Sequence, residues 1–393
     1  MRAGWRRGLL GLLLWGALTA GLHQALATAP ALGADFWTVW LGARALFVEH
    51  QDPYGPDVTL RSQMGIYGRP ARPGEDPVRF AYPLFAALPL APLAWLPYDW
   101  AYAGWLAFHL MAMLALAWWA FPRLPRWVAP TVLVYFPVTR NLLLGQYSLL
   151  IMEGTWLAWG WWQRYAARAG AAWGAGLAFL FAKPQEGGLW ALLGVWAASR
   201  RRGLAVWRGL LVGTMALLVL PMAWQPRWPA RFVAQALRYW HDNPMPSALA
   251  LLTARLPGGT LGYGLIAAWL LAGWLWLGLR WRRGRGRCLP WLAYTAWLTT
   301  LLHPQTSTTG QGAYVLPLWV WLQQRPVRAR QGVWGAALFL PWALLGIYFR
   351  GYEPPQVAWG LLAAFGLWTG ALVVHDLRHP PAREEEEALP VPG

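Results

Sequence analysis

Apolar runs separated by short polar connections extend along almost the whole chain. Several of these runs are long enough to cross ~30 Å of hydrocarbon. They are apolar on all sides, whereas a surface helix of a soluble protein keeps one polar face. We therefore predict an all-α polytopic membrane protein. The predicted helices lie near residues 8–28, 80–98, 101–121, 127–144, 146–163, 171–183, 186–199, 204–223, 261–280, 288–302, 312–324, 332–349 and 356–375.

Composition agrees with this class of protein. Of the 393 residues, 57% are hydrophobic and 12% are charged, about half of the charged fraction that a soluble surface carries. Tryptophans gather at the ends of the apolar runs, as they do at both faces of a membrane. The single cysteine, Cys288, excludes an internal disulfide framework.

The net charge of +17 comes mainly from arginines in the connections between the runs. Arginine-rich connections at residues 200–202, 280–287 and 325–330 are expected on the cytoplasmic side, where Lys and Arg are enriched. No basic patch interleaved with aromatic residues is present, so a nucleic-acid partner is not expected. Both chain ends are then inside, and about 12 transmembrane helices of a multi-pass cell-membrane protein are expected, one fewer than the apolar runs.

Two segments could hold the irregularity that this count requires. The runs at 171–183 and 186–199, interrupted by Lys183-Pro184, are one candidate for a broken crossing, and 127–163 is the other. The first run is interpreted as an uncleaved helix rather than a signal peptide, because membrane spans follow it. Residues 1–375 then form one transmembrane domain, and residues 376–393 form a disordered cytoplasmic tail.

Polar residues concentrate in two longer segments, about 29–79 and 224–260, which are predicted to face away from the cytoplasm. Within the first segment, the apolar residues of 36–49 are spaced to lie largely along one face, which predicts a helix resting on the membrane surface. We expect the functional site on this outer side, because six of the sixteen acidic residues fall in the first segment. These six are Asp35, Glu49, Asp52, Asp57, Glu75 and Asp76.

A set of short motifs in a fixed order resembles glycosyltransferase family 87 over residues 1 to about 350. The chain departs from the family pattern at His50-Gln51, where a glycine usually precedes Asp-Pro-Tyr, and at Ser148, where asparagine is common. The motifs, in chain order, are Asp35-Phe36-Trp37-Thr38-Val39-Trp40-Leu41-Gly42-Ala43-Arg44-Ala45-Leu46, Asp52-Pro53-Tyr54, Phe80-Ala81-Tyr82-Pro83-Leu84, Pro89-Leu90-Ala91-Pro92-Leu93, Gly145-Gln146-Tyr147-Ser148 and Lys183-Pro184-Gln185.

The resemblance implies a glycosyltransferase of the GT-C superfamily. Such an enzyme transfers a sugar, chiefly mannose in this family, from a polyprenyl phosphate to a lipid or glycan acceptor on the outer side of the membrane. No cofactor is expected, since the polyprenyl-phosphate sugar is a substrate, and membrane lipids are the remaining partner. A direct displacement inverts the anomeric centre and requires a base, a cation for the departing phosphate and an apolar groove for the prenyl chain.

Asp35 is the predicted base, because its carboxylate stands just after the first helix, where an acceptor hydroxyl could reach it. The alternative interpretation is an N-cap for helix 36–49. Asp52 and Tyr54 are candidate substrate-binding residues, and the alternative is a turn formed by Asp-Pro-Tyr.

Lys183 is the only lysine in the chain, and its ammonium beside a proline is a predicted ligand of the donor phosphate. The alternative is a lysine whose charged end reaches the membrane interface. His303, in the polar cluster 303–309, could bind the donor phosphate or the acceptor, or it could simply terminate its helix. Gln146 and Gln305 are candidates for binding sugar hydroxyls.

No metal site is predicted, because the only histidines with i, i+4 spacing, His375 and His379, lie in the polar tail. A nucleotide-phosphate loop is also missing from the sequence. The rival function is a transporter or flippase of lipid-linked sugars. Such proteins place polar residues near the membrane midplane, whereas here they collect in the two longer polar segments.

Overall fold

The computed structural model describes residues 2–27, 33–165, 170–242, 247–254, 259–348 and 355–381. All regular secondary structure in these ranges is helical, which confirms the all-α prediction. The α-helices, in chain order, are α1 (Arg2–Leu26), α2 (Ala34–Phe47), α3 (Pro56–Tyr67), α4 (Ala91–Ala94), α5 (Tyr98–Ala120), α6 (Val128–Thr131), α7 (Phe136–Leu144), α8 (Ser148–Tyr165), α9 (Ala171–Leu177), α10 (Pro184–Arg202), α11 (Leu204–Val219), α12 (Trp228–Asp242), α13 (Ala248–Thr253), α14 (Gly259–Arg282), α15 (Cys288–Leu301), α16 (Val315–Leu322), α17 (Val327–Tyr348) and α18 (Pro355–Arg378).

Five helical segments among the described residues are long and apolar enough to cross a bilayer. Two of them, Leu204–Ala223 and Leu261–Arg282, expose apolar side chains such as Leu211 and Leu265, as a helix in contact with lipid does. These helices support a membrane protein, while the predicted count of about 12 crossings and the predicted sidedness stay predictions. The five segments are Gly8–Leu26, Tyr98–Ala120, Leu204–Ala223, Leu261–Arg282 and Pro355–Arg378.

Proline residues interrupt two of the predicted helices. The run at 80–98 is not one helix, because it forms a 3₁₀ segment (Leu84–Leu90) followed by the single turn α4. Pro89 lies inside the 3₁₀ segment, and a proline there removes a backbone donor and clashes with the preceding turn of an α-helix. The run at 127–144 is likewise divided into α6, a 3₁₀ turn and α7.

The chain separates into two compact units. Unit 1 comprises Met1–Ala115, Asn141–Leu150 and Ala216–Pro244, and unit 2 comprises Leu116–Arg140, Ile151–Met215 and Met245–Gly393. Each unit is therefore assembled from segments that are distant in the sequence.

Helix α2 lies inside unit 1, against α3, α4 and the 3₁₀ segment that precedes α4. Phe36 and Ala43 are buried as the predicted single apolar face requires, but Thr38, Leu41 and Ala45 on the opposite side of the helix are buried too. The prediction that this segment rests on the membrane surface is therefore wrong. The sequence pattern does not distinguish the two cases, because an apolar side chain can be buried by protein or by lipid.

Helix α15 is the most enclosed long helix of unit 2, and it packs against α10, α14, α16 and α18. Helix α18 continues to Arg378, three residues past the predicted end of this helix at residue 375. Asp376 explains the difference: it is buried and accepts a hydrogen bond from the backbone N–H of Arg287 at 2.8 Å. The rest of the predicted tail, from residue 382, lies outside the described residues.

Candidate active site

Two glycines bring the start of α2 against the end of α7 in unit 1. Gly33 precedes α2 with φ 85°, and its N–H donates to the Leu143 carbonyl at 2.9 Å. Gly145 follows α7 with φ 66°, and a β carbon there would overlap Phe36. Glycine adopts positive φ without a steric cost, so these two turns allow the backbones to touch.

The contact places Asp35 beside Gln146, 111 residues further along the chain. The Gln146 Nε2 group donates to Asp35 Oδ2 at 2.6 Å, and both side chains are partly exposed. Asp35 is not the N-cap of α2, because that position belongs to Gly33 and no side chain caps the helix. The result is an oriented carboxylate that solvent can reach, which is the arrangement that a general base needs.

Asp52 and Tyr54 make internal contacts in unit 1. Asp52 Oδ1 accepts the Tyr54 backbone N–H at 3.1 Å, and its other oxygen forms an ion pair with Arg231. The Tyr54 hydroxyl donates to the Tyr82 carbonyl at 2.7 Å, and burial raises the pKa of this phenol above its usual range. These contacts favour the turn interpretation over substrate binding for both residues.

Unit 2 contains a buried ionic cluster of Lys183, Glu186 and His303. Lys183 Nζ lies 2.5 Å from Glu186 Oε1, and His303 Nε2 lies 3.3 Å from the same oxygen. The three residues are only 6%, 4% and 6% exposed, respectively. Charges buried to this depth are stable only when they are paired, so Glu186 holds the two potential cations together.

Local sequence explains how the cluster forms. Pro184 occupies the first position of α10, where a proline needs no hydrogen-bond partner, and the chain therefore turns at Lys183. His303 follows the C-terminal end of α15, and its Nδ1 lies 3.0 Å from the Gln305 carbonyl oxygen. Gln305 thus orients the imidazole through its backbone, and the opposite ring nitrogen faces Glu186.

Burial favours the site interpretation of Lys183 over its alternative, and it brings in Glu186, a neighbour that the sequence prediction did not include. A lysine that reaches for the interface exposes its ammonium, whereas Lys183 is buried and paired. Glu186 was not predicted as a site residue. A signal was available, because Glu186 stands three residues after the only lysine, and i, i+3 neighbours meet on a helix surface.

An apolar cavity in unit 2 lies along the same helices as the ionic cluster. Its walls include Trp159, Trp190, Leu193, Trp281 and Leu292. Helix α10 begins at the cluster and continues to this cavity, roughly 10 Å further on by the helical rise. Helix α15 begins at the cavity and ends at the cluster, roughly 16 Å away by the same measure. Helices α10 and α15 therefore both extend from the ionic cluster to the apolar cavity.

Metal coordination has no support in the described part of the chain, where no three His, Cys, Asp or Glu side chains lie close enough to hold an ion. Lys183 is the one lysine side chain at the candidate site, and its ammonium is paired with Glu186.

The helical fold and the helices of membrane length are those of a membrane protein. A model of glycosyltransferase family 87 matches residues 80–304, more than half of the chain, and the chain belongs to this family. It is therefore a membrane glycosyltransferase that uses a sugar donor and an acceptor, which confirms the resemblance and sets aside the transporter alternative. The match includes Gln146, Lys183 and His303, whereas Asp35 and Asp52 precede it. Neither the curated proteins nor the solved structures yield a match.

Proposed function

We propose that this membrane glycosyltransferase transfers a hexose, in the first instance mannose, from a polyprenyl phosphate to a lipid or glycan acceptor. The reaction takes place on the outer side of the cell membrane. The observation that supports this proposal is the Lys183–Glu186–His303 cluster, from which α10 and α15 extend to an apolar cavity. A lipid-linked donor presents the matching chemistry, because it has an anionic phosphate at one end and a long hydrocarbon chain at the other.

Each step of the transfer then has a group of this chain assigned to it. The acceptor hydroxyl oxygen attacks the anomeric carbon, and its proton passes to the Asp35 carboxylate. The bond between the anomeric carbon and the phosphate oxygen breaks, and its electron pair leaves with the polyprenyl phosphate. Lys183 and His303 stabilise the charge that develops on this phosphate. Attack opposite the leaving group inverts the anomeric centre.

Glu186 and Gln146 orient the reacting groups in this proposal. Glu186 Oε1 lies 2.5 Å from Lys183 Nζ and 3.3 Å from His303 Nε2, and Gln146 donates to the base. The proposal includes no cofactor, and it assigns the charge beside the departing phosphate to the Lys183 ammonium.

Incubation of the purified protein with polyprenyl-phosphate mannose and a panel of lipid and glycan acceptors tests the proposal. We expect a mannosylated product whose anomeric configuration is opposite to that of the donor, measured by mass spectrometry and NMR. A nucleotide sugar offered in place of the lipid-linked donor should give no product. Transfer from the nucleotide sugar alone would contradict the donor assignment.

Cysteine labelling tests the side of the membrane on which the first polar segment lies. Cys288 is the only native cysteine, so Cys288→Ala gives a background for single cysteines at Asp57 and Arg285, which are both exposed. We expect a membrane-impermeant maleimide to label the cysteine at Asp57 in intact cells and the cysteine at Arg285, in an arginine-rich connection, only after lysis. The reverse pattern would move the active site to the cytoplasmic side.

A further inference from the structure

Helix α12, in the second polar segment, is amphipathic and joins the first polar segment through its inner face. Tyr239 donates to Asp76 Oδ2 at 2.9 Å, and Asp242 forms an ion pair of 2.7 Å with Arg79. Arg231 forms the ion pair with Asp52 described above. Three separate contacts therefore fasten α12 to the segment that follows α2.

The opposite face of α12 is apolar and exposed. Val233 is 53% exposed and Leu237 is 59% exposed, and both lie on one face because residues four apart are neighbours on a helix. Arg227 and Arg238 are exposed along one edge of this face. Apolar residues bordered by arginine are the pattern of a helix that lies in the headgroup region of a membrane.

The start of α12 is fixed close to the end of a membrane span. The span that contains α11 ends at Ala223, so only four residues separate it from Trp228. The Trp228 indole N–H donates back to the Leu218 carbonyl at 3.0 Å, inside that span. The helix therefore begins within a short distance of the boundary between hydrocarbon and headgroups.

We propose that the exposed face of α12 lies on the bilayer surface and binds anionic phospholipid headgroups through Arg227 and Arg238. Val233 and Leu237 enter the boundary below the headgroups, and the arginines pair with lipid phosphates above them. Because the inner face holds the first polar segment, α12 fixes the height of that segment above the membrane. A second copy of the chain fits this face less well in antiparallel pairing, which would bring the two arginine edges of like charge together.

Spin-label accessibility in reconstituted vesicles tests this surface without any assay of glycosyl transfer. The label is placed at Val233 and Leu237 in the Cys288→Ala background, with Asp57 as the water-exposed control and Leu211 as the lipid-exposed control. In vesicles of phosphatidylcholine with phosphatidylglycerol, we expect a several-fold higher ratio of oxygen to nickel-chelate collisions at Val233 and Leu237 than at Asp57. Leu211 should show a higher ratio still.

Two further experiments test whether the anionic lipid and the two arginines hold this face at the bilayer. Omitting phosphatidylglycerol, or introducing Arg227→Gln with Arg238→Gln, should shift the ratio at Leu237 toward the Asp57 value. Ratios at Val233 and Leu237 equal to that of Asp57 in every vesicle would overturn the proposal. Protection from both collision reagents that disappears when the protein is diluted in lipid would assign the face to a second copy and would overturn it as well.

Discussion

Replacement of Asp35 by asparagine is expected to lower turnover by about 10²-fold or more, the scale of a lost general base. Asparagine retains an oxygen that accepts from Gln146, so the local geometry should survive. The change costs little as a helix-capping effect, because Gly33 occupies the N-cap position. Loss of a first-turn carboxylate removes only about 0.3–1 kcal/mol of helix-dipole stabilisation, and the melting temperature should stay close to that of the wild type.

Asp52→Asn is the matched control for this variant. Asp52 is a carboxylate of the same polar segment, but it binds Arg231 and the Tyr54 backbone. We expect it to alter stability modestly and to leave turnover per folded molecule almost unchanged. Initial rates and melting curves on monodisperse protein measure both quantities. Near-normal turnover of a folded Asp35→Asn protein would show that another group takes the proton.

Replacement of Lys183 by methionine should lower turnover by about 10²–10³-fold, the scale of a lost transition-state charge stabiliser. The departing phosphate gains charge as the bond breaks, so turnover should fall more than donor affinity. This substitution also leaves Glu186 in a buried position without its closest cation. Breaking a buried ion pair costs about 3–5 kcal/mol, so the single variant confounds catalysis with stability.

A second substitution separates the two effects. Lys183→Met combined with Glu186→Gln removes both charges together, which should recover most of the lost stability without recovering turnover. Lys183→Arg should recover only part of the turnover, because a planar guanidinium does not replace a compact ammonium. Turnover, donor binding and melting temperature decide the outcome. If the double variant turned over at the wild-type rate, Lys183 would have a structural role alone.

Class and family could be predicted from the sequence because they depend on features that extend over many residues. Apolar length gave the membrane helices, and the order of the motifs indicated the family. The segment 80–98 is not one helix although its prolines are visible in the sequence, because the length of an apolar run does not show that Pro89 divides it. The burial of α2 could not be predicted, since it depends on which elements surround that helix.

For the site residues, contacts between sequence neighbours could be predicted, and contacts between distant segments could not. Glu186 could have been found from its spacing to Lys183. The contact of Gln146 with Asp35 depends on two glycine turns 112 residues apart, which no local pattern indicates. The Asp-Pro-Tyr motif makes an internal contact, because the Tyr54 hydroxyl donates to the carbonyl of Tyr82, which belongs to another of the family motifs. Residues that mark a family can hold one another in place without touching a substrate.

The discontinuous make-up of unit 1 has a consequence for biosynthesis. Tyr239 follows its partner Asp76 by 163 residues, which corresponds to a delay of about 8–30 s at ordinary translation rates. Asp76 leaves the translocon long before Tyr239 is made, and the same holds for Asp52 and Arg231. The first polar segment therefore lacks these contacts while the intervening helices are made. A fragment that ends before α12 cannot form these contacts, so nascent chains stalled there should remain more sensitive to protease in this segment than the full-length protein.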